Sequence, residues 1–258
     1  MQHEPINSFS WGIVPCTRTS FIFSTNQFTL LVSACLPHEI NDALYNFTEA
    51  NPDFHLDLIG FDACLMATYE AAAHMQYYAD FMVASEELEP SLGWNYAWLN
   101  ALGENPVLDA QGIGVAIADA YMEACLDENP DDYLSMSVLY LPAMDYLVST
   151  METYASYLSQ ALDAGQLSTF SRARQRMYAF GDFDSATSDM VDMMALIDGT
   201  RTIAPQTADV LQTAYERVVR YSVGTRKFDY LTGMSVYFPS GSYEGDGCQE
   251  TIPRMTEH

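Results

Sequence analysis

Asp62 and Cys64 stand two residues apart where an apolar run ends, in "DLIGFDACLMATYEAAAHMQYYADFMVASEELEPSLGW", residues 57–94. A thiol can attack a carbonyl carbon, and a carboxylate can hold a guanidinium through two parallel hydrogen bonds. Residues two apart in an extended chain point the same way, so both side chains can face one cleft. The spacing also places Cys64 at the start of an alanine-rich helix, whose free N–H groups favour a thiolate; the neighbouring carboxylate opposes it. An acid kept there despite that cost suggests a second task, such as holding a cationic side chain. The plain alternative is a small apolar cysteine buried at a strand end.

The elements that would position this pair are legible around it. "FHLDLIGF" predicts a strand, "LMATYEAAAHMQYYA" a helix and "DFMVASE" a second strand. Strand, helix and strand in so short a span imply two parallel strands joined by a right-handed crossover. In such sheets ligands bind beyond the carboxyl ends of the strands, where Asp62 and Cys64 fall. Upstream, Pro37 and the spacing of Ile40, Ala43, Leu44 and Phe47 predict a helix that ends at Asn51-Pro52. "FIFS" and "FTLLVSA" suit short strands. Downstream, "SMSVLYL" and "GMSVYFP" read as strands, with helices over 109–126, 142–163, 167–179, 189–198 and 203–222. The expected organisation is a weakly patterned segment over 1–35 and an α/β core with Cys64 over 36–140. A helix-rich region returning to a final strand follows over 141–240, then a tail over 241–258.

With 258 residues, 49% of them hydrophobic, the chain can bury a sizeable core. Its net charge of −25 argues against nucleic acid and anionic membranes as partners. The acids are unevenly spread: residues 1–171 hold one basic side chain, Arg18, against 23 acids. That surface would attract cations or basic peptides, or is simply a solvated acidic face. No stretch approaches the roughly 18 apolar residues of a membrane span, and the first residues carry no signal-peptide pattern. Five scattered cysteines, Cys16, Cys35, Cys64, Cys125 and Cys248, form neither a disulfide framework nor a zinc site.

"LIGFDACLMATYEAA" followed by "YADFMVASEELEPSLGWNY" resembles the nucleophile region of the clostripain-type cysteine peptidases, relatives of caspases and gingipains. "YLSMSVLYLPAMDYL", "ARQRMYAFGDFDSATSDMVDMM" and "GMSVYFPSG" resemble later family stretches, in order, so the similarity spans about residues 36–240. It implies a caspase-like three-layer α/β/α sandwich with a mainly parallel sheet and a helix-rich insertion. It also implies an endopeptidase acting on peptides or proteins after arginine or lysine, secreted or at the cell surface in the full-length protein. Cys64 would be the nucleophile, with its own N–H in the oxyanion hole. Asp62 would floor the pocket for the basic side chain, and Ser91 would line it.

Two departures from the family stand out. A second acid is common beside the Gly-Trp, where this chain has Leu92. The family's base is a histidine followed by glycine, and no His-Gly occurs here. His74 lies ten residues beyond Cys64 along a helix, about 15 Å away, and His55 nine residues before it, about 30 Å along a strand. His38 falls toward the wrong end of its helix and His258 is terminal. His3 remains as the candidate base. The simplest expectation is a truncated chain, with the first strands and the histidine upstream of Met1. The alternative is a catalytically silent homologue that binds basic peptides in an acidic cleft.

Arg18 is a candidate self-cleavage point between the histidine and cysteine regions, with an ordinary exposed arginine as the plainer expectation; intact Arg18 in active enzyme would overturn the idea. A cysteine phosphatase would need arginine where Glu70 stands. "HEIND" lacks the second histidine of a zinc protease. Asp182, Asp184, Asp189 and Asp192 lack the central glycine and closing glutamate of an EF-hand, and fit acids in a helix's first turn. Glu86, Glu87 and Glu89 could hold calcium near the cleft, with a solvated loop as the plainer expectation. No other cofactor is implied.

Overall fold

The computed structural model describes residues 20–25, 28–33, 37–90, 93–104, 107–181, 189–225 and 231–239. His3, Arg18, Ser91, Leu92, Asp182, Asp184 and the tail over 241–258 lie outside the described residues, as do Cys16, Cys35 and Cys248.

Two strands, β1 (Ser20–Thr25) and β2 (Phe28–Ser33), pair antiparallel where the sequence offered its two short apolar runs. Helix α1 (Pro37–Ala50) follows, with Ile40 and Leu44 buried on one face as their spacing predicts. Strand β3 (Leu56–Gly60), helix α2 (Tyr69–Met75) and strand β4 (Ala79–Ala84) form the expected crossover unit, and β3 pairs parallel with β4. After α3 (Trp98–Glu104) and α4 (Ala110–Glu128), β5 (Ser135–Tyr140) adds antiparallel to β4. Helices α5 (Met144–Asp163) and α6 (Leu167–Arg174) lead to β6 (Met190–Asp192), α7 (Met193–Thr200) and α8 (Pro205–Val218). Strand β7 (Val219–Gly224) then joins β5 antiparallel, so the sheet order is β3-β4-β5-β7. Strand β8 (Ser235–Tyr237) pairs with β6 and reaches the β3–α2 loop through a bridge from Ser235 to Thr68.

The sheet is mixed: its crossover pair is parallel and its remaining described pairs are antiparallel. It separates two apolar layers. Met82, Ala84 and Leu139 face a core built with α1, α2, α5, α7 and α8, whereas Val83, Met136 and Val138 face one built with α3 and α4. Alternation along β4 and β5 thus feeds both layers, which is why these strands read as continuous apolar runs. Each fully buried large side chain, such as Met82 or Leu139, contributes roughly 1.5–3 kcal/mol. The result is an α/β/α sandwich whose β3 and β4 both end at the site.

Candidate active site

Two backbone bonds bracket the loop after β3. Phe61 N–H donates to Val83 O at 2.9 Å, and Ala67 N–H donates to Ser85 O at 2.8 Å. Between them the chain makes a tight excursion with Cys64 at its turn. Leu65 has φ +60°, a left-handed conformation costing a leucine roughly 1–2 kcal/mol. Its N–H donates to Glu87 O at 3.1 Å, so the strain is held by the β4 loop opposite.

Cys64 does not begin a helix. The N-cap of α2 is Thr68, whose Oγ1 accepts Ala71 N–H at 2.9 Å, so the unpaired N–H groups of that helix lie beyond the cysteine. The polar support for the sulfur comes from another residue: Glu89 N–H donates to Cys64 Sγ at 3.2 Å. An N–H aimed at sulfur favours negative charge there.

The loop after β4 is shaped by buried polar contacts. Ser135 on β5 lies 3.0 Å from Ser85 through their hydroxyls, and its Oγ accepts the N–H groups of Glu86 and Glu87 at 3.0 and 3.1 Å. The three glutamates are not a solvated loop: Glu86 is 0% exposed, Glu87 3% and Glu89 6%. Nor do they converge on one point. Glu86 Oε2 accepts Gly233 N–H at 3.0 Å and its carboxyl meets Asp192. Glu87 accepts from Gly181 N–H at 2.9 Å and Tyr178 OH at 3.0 Å. Glu89 turns its carboxyl toward Asp62, whose charge acts on it. Among the described residues, no group of three or more His, Cys, Asp or Glu side chains is placed to hold a metal ion.

Asp62 is held from both sides. Trp94 N–H donates to its Oδ2 at 3.2 Å, and Gly93, at φ +68°, brings that amide in; a Cβ there would stand 3.2 Å from the same oxygen. The Trp94 ring lies over Gly60, where a Cβ would be 2.7 Å from Cη2. Burial raises the Asp62 pKa, and the bond from the Trp94 amide lowers it in part. Burial and the Asp62 charge push Glu89 well above its ordinary value. Both shifts act in the direction of keeping a proton on one of the two carboxyl groups.

The structure brings Asp62 and Cys64 together at the carboxyl end of β3 and adds Glu89, which sequence reasoning set aside. His55 Nε2 meets Asp80 Oδ1 at 3.0 Å at the opposite end of β3 and β4, and His74 lies in the last turn of α2. Neither stands where the sheet ends beside Cys64.

A sandwich with an acid and a cysteine thiol at the mouth of its parallel pair is the arrangement of caspase-like cysteine proteases. The clostripain family profile matches residues 34–243, and the chain belongs to that family. No curated protein matches the sequence. Its fold is similar to that of an inactive zymogen C11 protease from Parabacteroides distasonis, with 18% identity and TM-score 0.55, covering 80% of this chain and 61% of that one. It is also similar to a secreted C11 cysteine protease from Bacteroides thetaiotaomicron solved with an irreversible peptide inhibitor, with 17% identity and TM-score 0.57, covering 87% and 61%. A clostripain from the same organism, in complex with peptide inhibitor BTN-VLTK-AOMK, shares 12% identity at TM-score 0.54 over 80% and 86%. The chain spans 61% of the length of the first two.

Proposed function

We propose that this chain carries the nucleophile and the specificity pocket of a cysteine endopeptidase cleaving after arginine or lysine. The observation that carries the reading is the placement of Asp62 and Cys64 on one short loop at the carboxyl end of β3, with the Glu89 N–H donating to Cys64 Sγ at 3.2 Å. Cys64 attacks the scissile carbonyl, forming the acyl-enzyme, and its own N–H stabilises the oxyanion. Asp62 receives the guanidinium or ammonium of the residue before the bond, with Ser91 beside it. His3 is the proposed base that takes the thiol proton and returns it to the leaving amine. The VLTK peptide in one neighbour's inhibitor ends on a basic residue and supports the preference. A secreted neighbour supports an extracellular setting, which finding the protein confined to the cytoplasm of its cell would overturn. Among the described residues no helix is long and apolar enough to cross a membrane.

Hydrolysis of fluorogenic peptides with arginine, lysine or leucine before the scissile bond tests the reading. Turnover should favour the basic residues and fall by more than about 10³-fold in Cys64→Ala. His3→Ala should abolish it as well. Turnover that survives Cys64→Ala sinks the proposal. A second reading is favoured by the positions of His55 and His74, both away from the thiol: a silent module that binds basic peptides without cutting them. Peptide binding by Cys64→Ala, with no hydrolysis by the unmodified protein, would select it.

A further inference from the structure

The peptide unit between Glu87 and Leu88 makes a contact that keeps the cysteine turn in place. Its carbonyl accepts Leu65 N–H at 3.1 Å, from the residue whose φ of +60° closes the turn beside Cys64. Its own N–H, on Leu88, donates to the Glu87 side chain at Oε1, 2.9 Å away. A peptide unit is planar, so fixing the N–H on one side fixes the direction of the C=O on the other. The peptide unit that follows presents Glu89 N–H to Cys64 Sγ at 3.2 Å. The Glu87 carboxylate thus stands behind two bonds from the β4 loop to the cysteine turn.

The same carboxylate brings a second segment against that turn. Oε1 also accepts Gly181 N–H at 2.9 Å, and Oε2 accepts Tyr178 OH at 3.0 Å. Gly181 lies so close to Leu65 that a Cβ on it would stand 2.9 Å from Leu65 Cδ1. Leu65 is therefore gripped at its amide by the Glu87 carbonyl, and at its side chain by backbone that the Glu87 carboxylate fixes. Glu87 is buried, so water competes weakly for these contacts.

Resting on the reading of Cys64 as the nucleophile, we propose that Glu87 is the positioning residue of the cysteine turn: it ties Tyr178 and Gly181 to the turn and aims the carbonyl that holds Leu65. Its part is that of an acceptor, since a negative charge in this loop opposes a thiolate. Glutamine keeps a carbonyl for both N–H groups and offers its NH2 to the Tyr178 oxygen. Aspartate keeps the charge and falls one methylene short. The Asp62 side of the site is held separately, by the Trp94 amide.

The first measurement is turnover of a fluorogenic arginine peptide by the whole chain. In Glu87→Asp and Glu87→Ala, kcat per folded molecule should fall about 10²-fold, the loss expected from a misplacement near 1 Å. KM should stay within about twofold, and Glu87→Gln should keep kcat within about threefold. Tyr178→Phe removes one hydroxyl at the surface and should lower kcat about fivefold. Iodoacetamide alkylation of Cys64, followed by the mass of the peptide that carries it, reads the same turn without peptidase activity. It should slow about tenfold in Glu87→Asp and Glu87→Ala and stay near the unmodified rate in Glu87→Gln. Should Glu87→Ala fail to fold, the other variants decide the question. Glu87→Asp keeping both rates while Glu87→Gln loses them would make charge the requirement and overturn the proposal. Lower unfolding temperatures with kcat and alkylation unchanged in every variant would also overturn it, leaving a merely structural glutamate. No turnover by the unmodified protein would remove the peptidase reading alone, because alkylation would still report how Cys64 is held.

Discussion

A methyl group at Gly93 would stand 3.2 Å from Asp62 Oδ2, on a backbone at φ +68°. Alanine pays for that conformation with roughly 1–2 kcal/mol, and escaping it would pull the Trp94 amide away from the carboxylate. Gly93→Ala should therefore lower unfolding free energy by about that amount in a urea titration. It should also reduce affinity for argininamide more than it changes alkylation of Cys64. Equal stability with unchanged binding would show that this amide does not set Asp62. Asp62 and Cys64 were legible in the sequence because an acid and a thiol interrupt an apolar strand at same-face spacing. Glu89 was not: in "ASEELEP" it sits in a polar run, and it is buried by residues outside that run, Asp62 and Ala63 after β3, Trp94 five positions on, and Tyr121 and Cys125 on α4. Reading those three acids against the apolar strand just before them was the one available clue.

Helix α2 is shorter than its apolar spacing predicts, because Leu65 to Ala67 spend their backbone groups elsewhere. Leu65 N–H goes to Glu87 O, Ala67 N–H to Ser85 O, and Ala67 O accepts Ser235 N–H at 2.8 Å. Thr68 is thus both the cap of α2 and the hinge between the cysteine loop and the helix. Thr68→Ala should cost about 1 kcal/mol, and Thr68→Ser close to nothing, in denaturant unfolding. Equal losses in both variants would mean that packing of the threonine methyl, rather than the cap, carries the effect. Elsewhere the predicted helix over 203–222 merged two elements. The chain turns from α8 into β7 at Val218-Val219, whose β-branched side chains favour the strand, yet their spacing continues the helical stripe. Strand β6 escaped notice because three residues are too few to show alternation. Strand β4 was legible because both its faces pack into apolar layers, and β3 because Leu56, Leu58 and Ile59 mark a strand around the exposed Asp57.

The whole molecule carries an excess of acid outside and buries more acid within. Glu86 and Glu89 are pushed well above their ordinary value by burial and by the charges of Asp192 and Asp62; Asp62, Asp192 and Glu70 are also raised, chiefly by burial. A raised carboxyl pKa means that the folded chain keeps a proton the unfolded chain has lost. The associated stability is fully present below the unfolded glutamate value of 4.5 and is lost as pH rises through the higher folded values. Each such proton contributes up to about 1.4 kcal/mol per pH unit across that window. Repulsion within a chain of net charge −25 acts in the same direction, since it also grows as carboxyls ionise. The two contributions separate by salt, because surface repulsion is screened at about 0.5 M while the buried protons are not. Unfolding temperature should thus fall as pH rises above the ordinary glutamate value of 4.5 even in salt, by less than in dilute buffer. Glu86→Gln keeps a carbonyl for the Gly233 amide and removes one titrating group. It should flatten the slope that persists in salt. If high salt abolished the slope entirely, the surface charge alone would account for it, and the buried acids would have to be ionised in the folded protein.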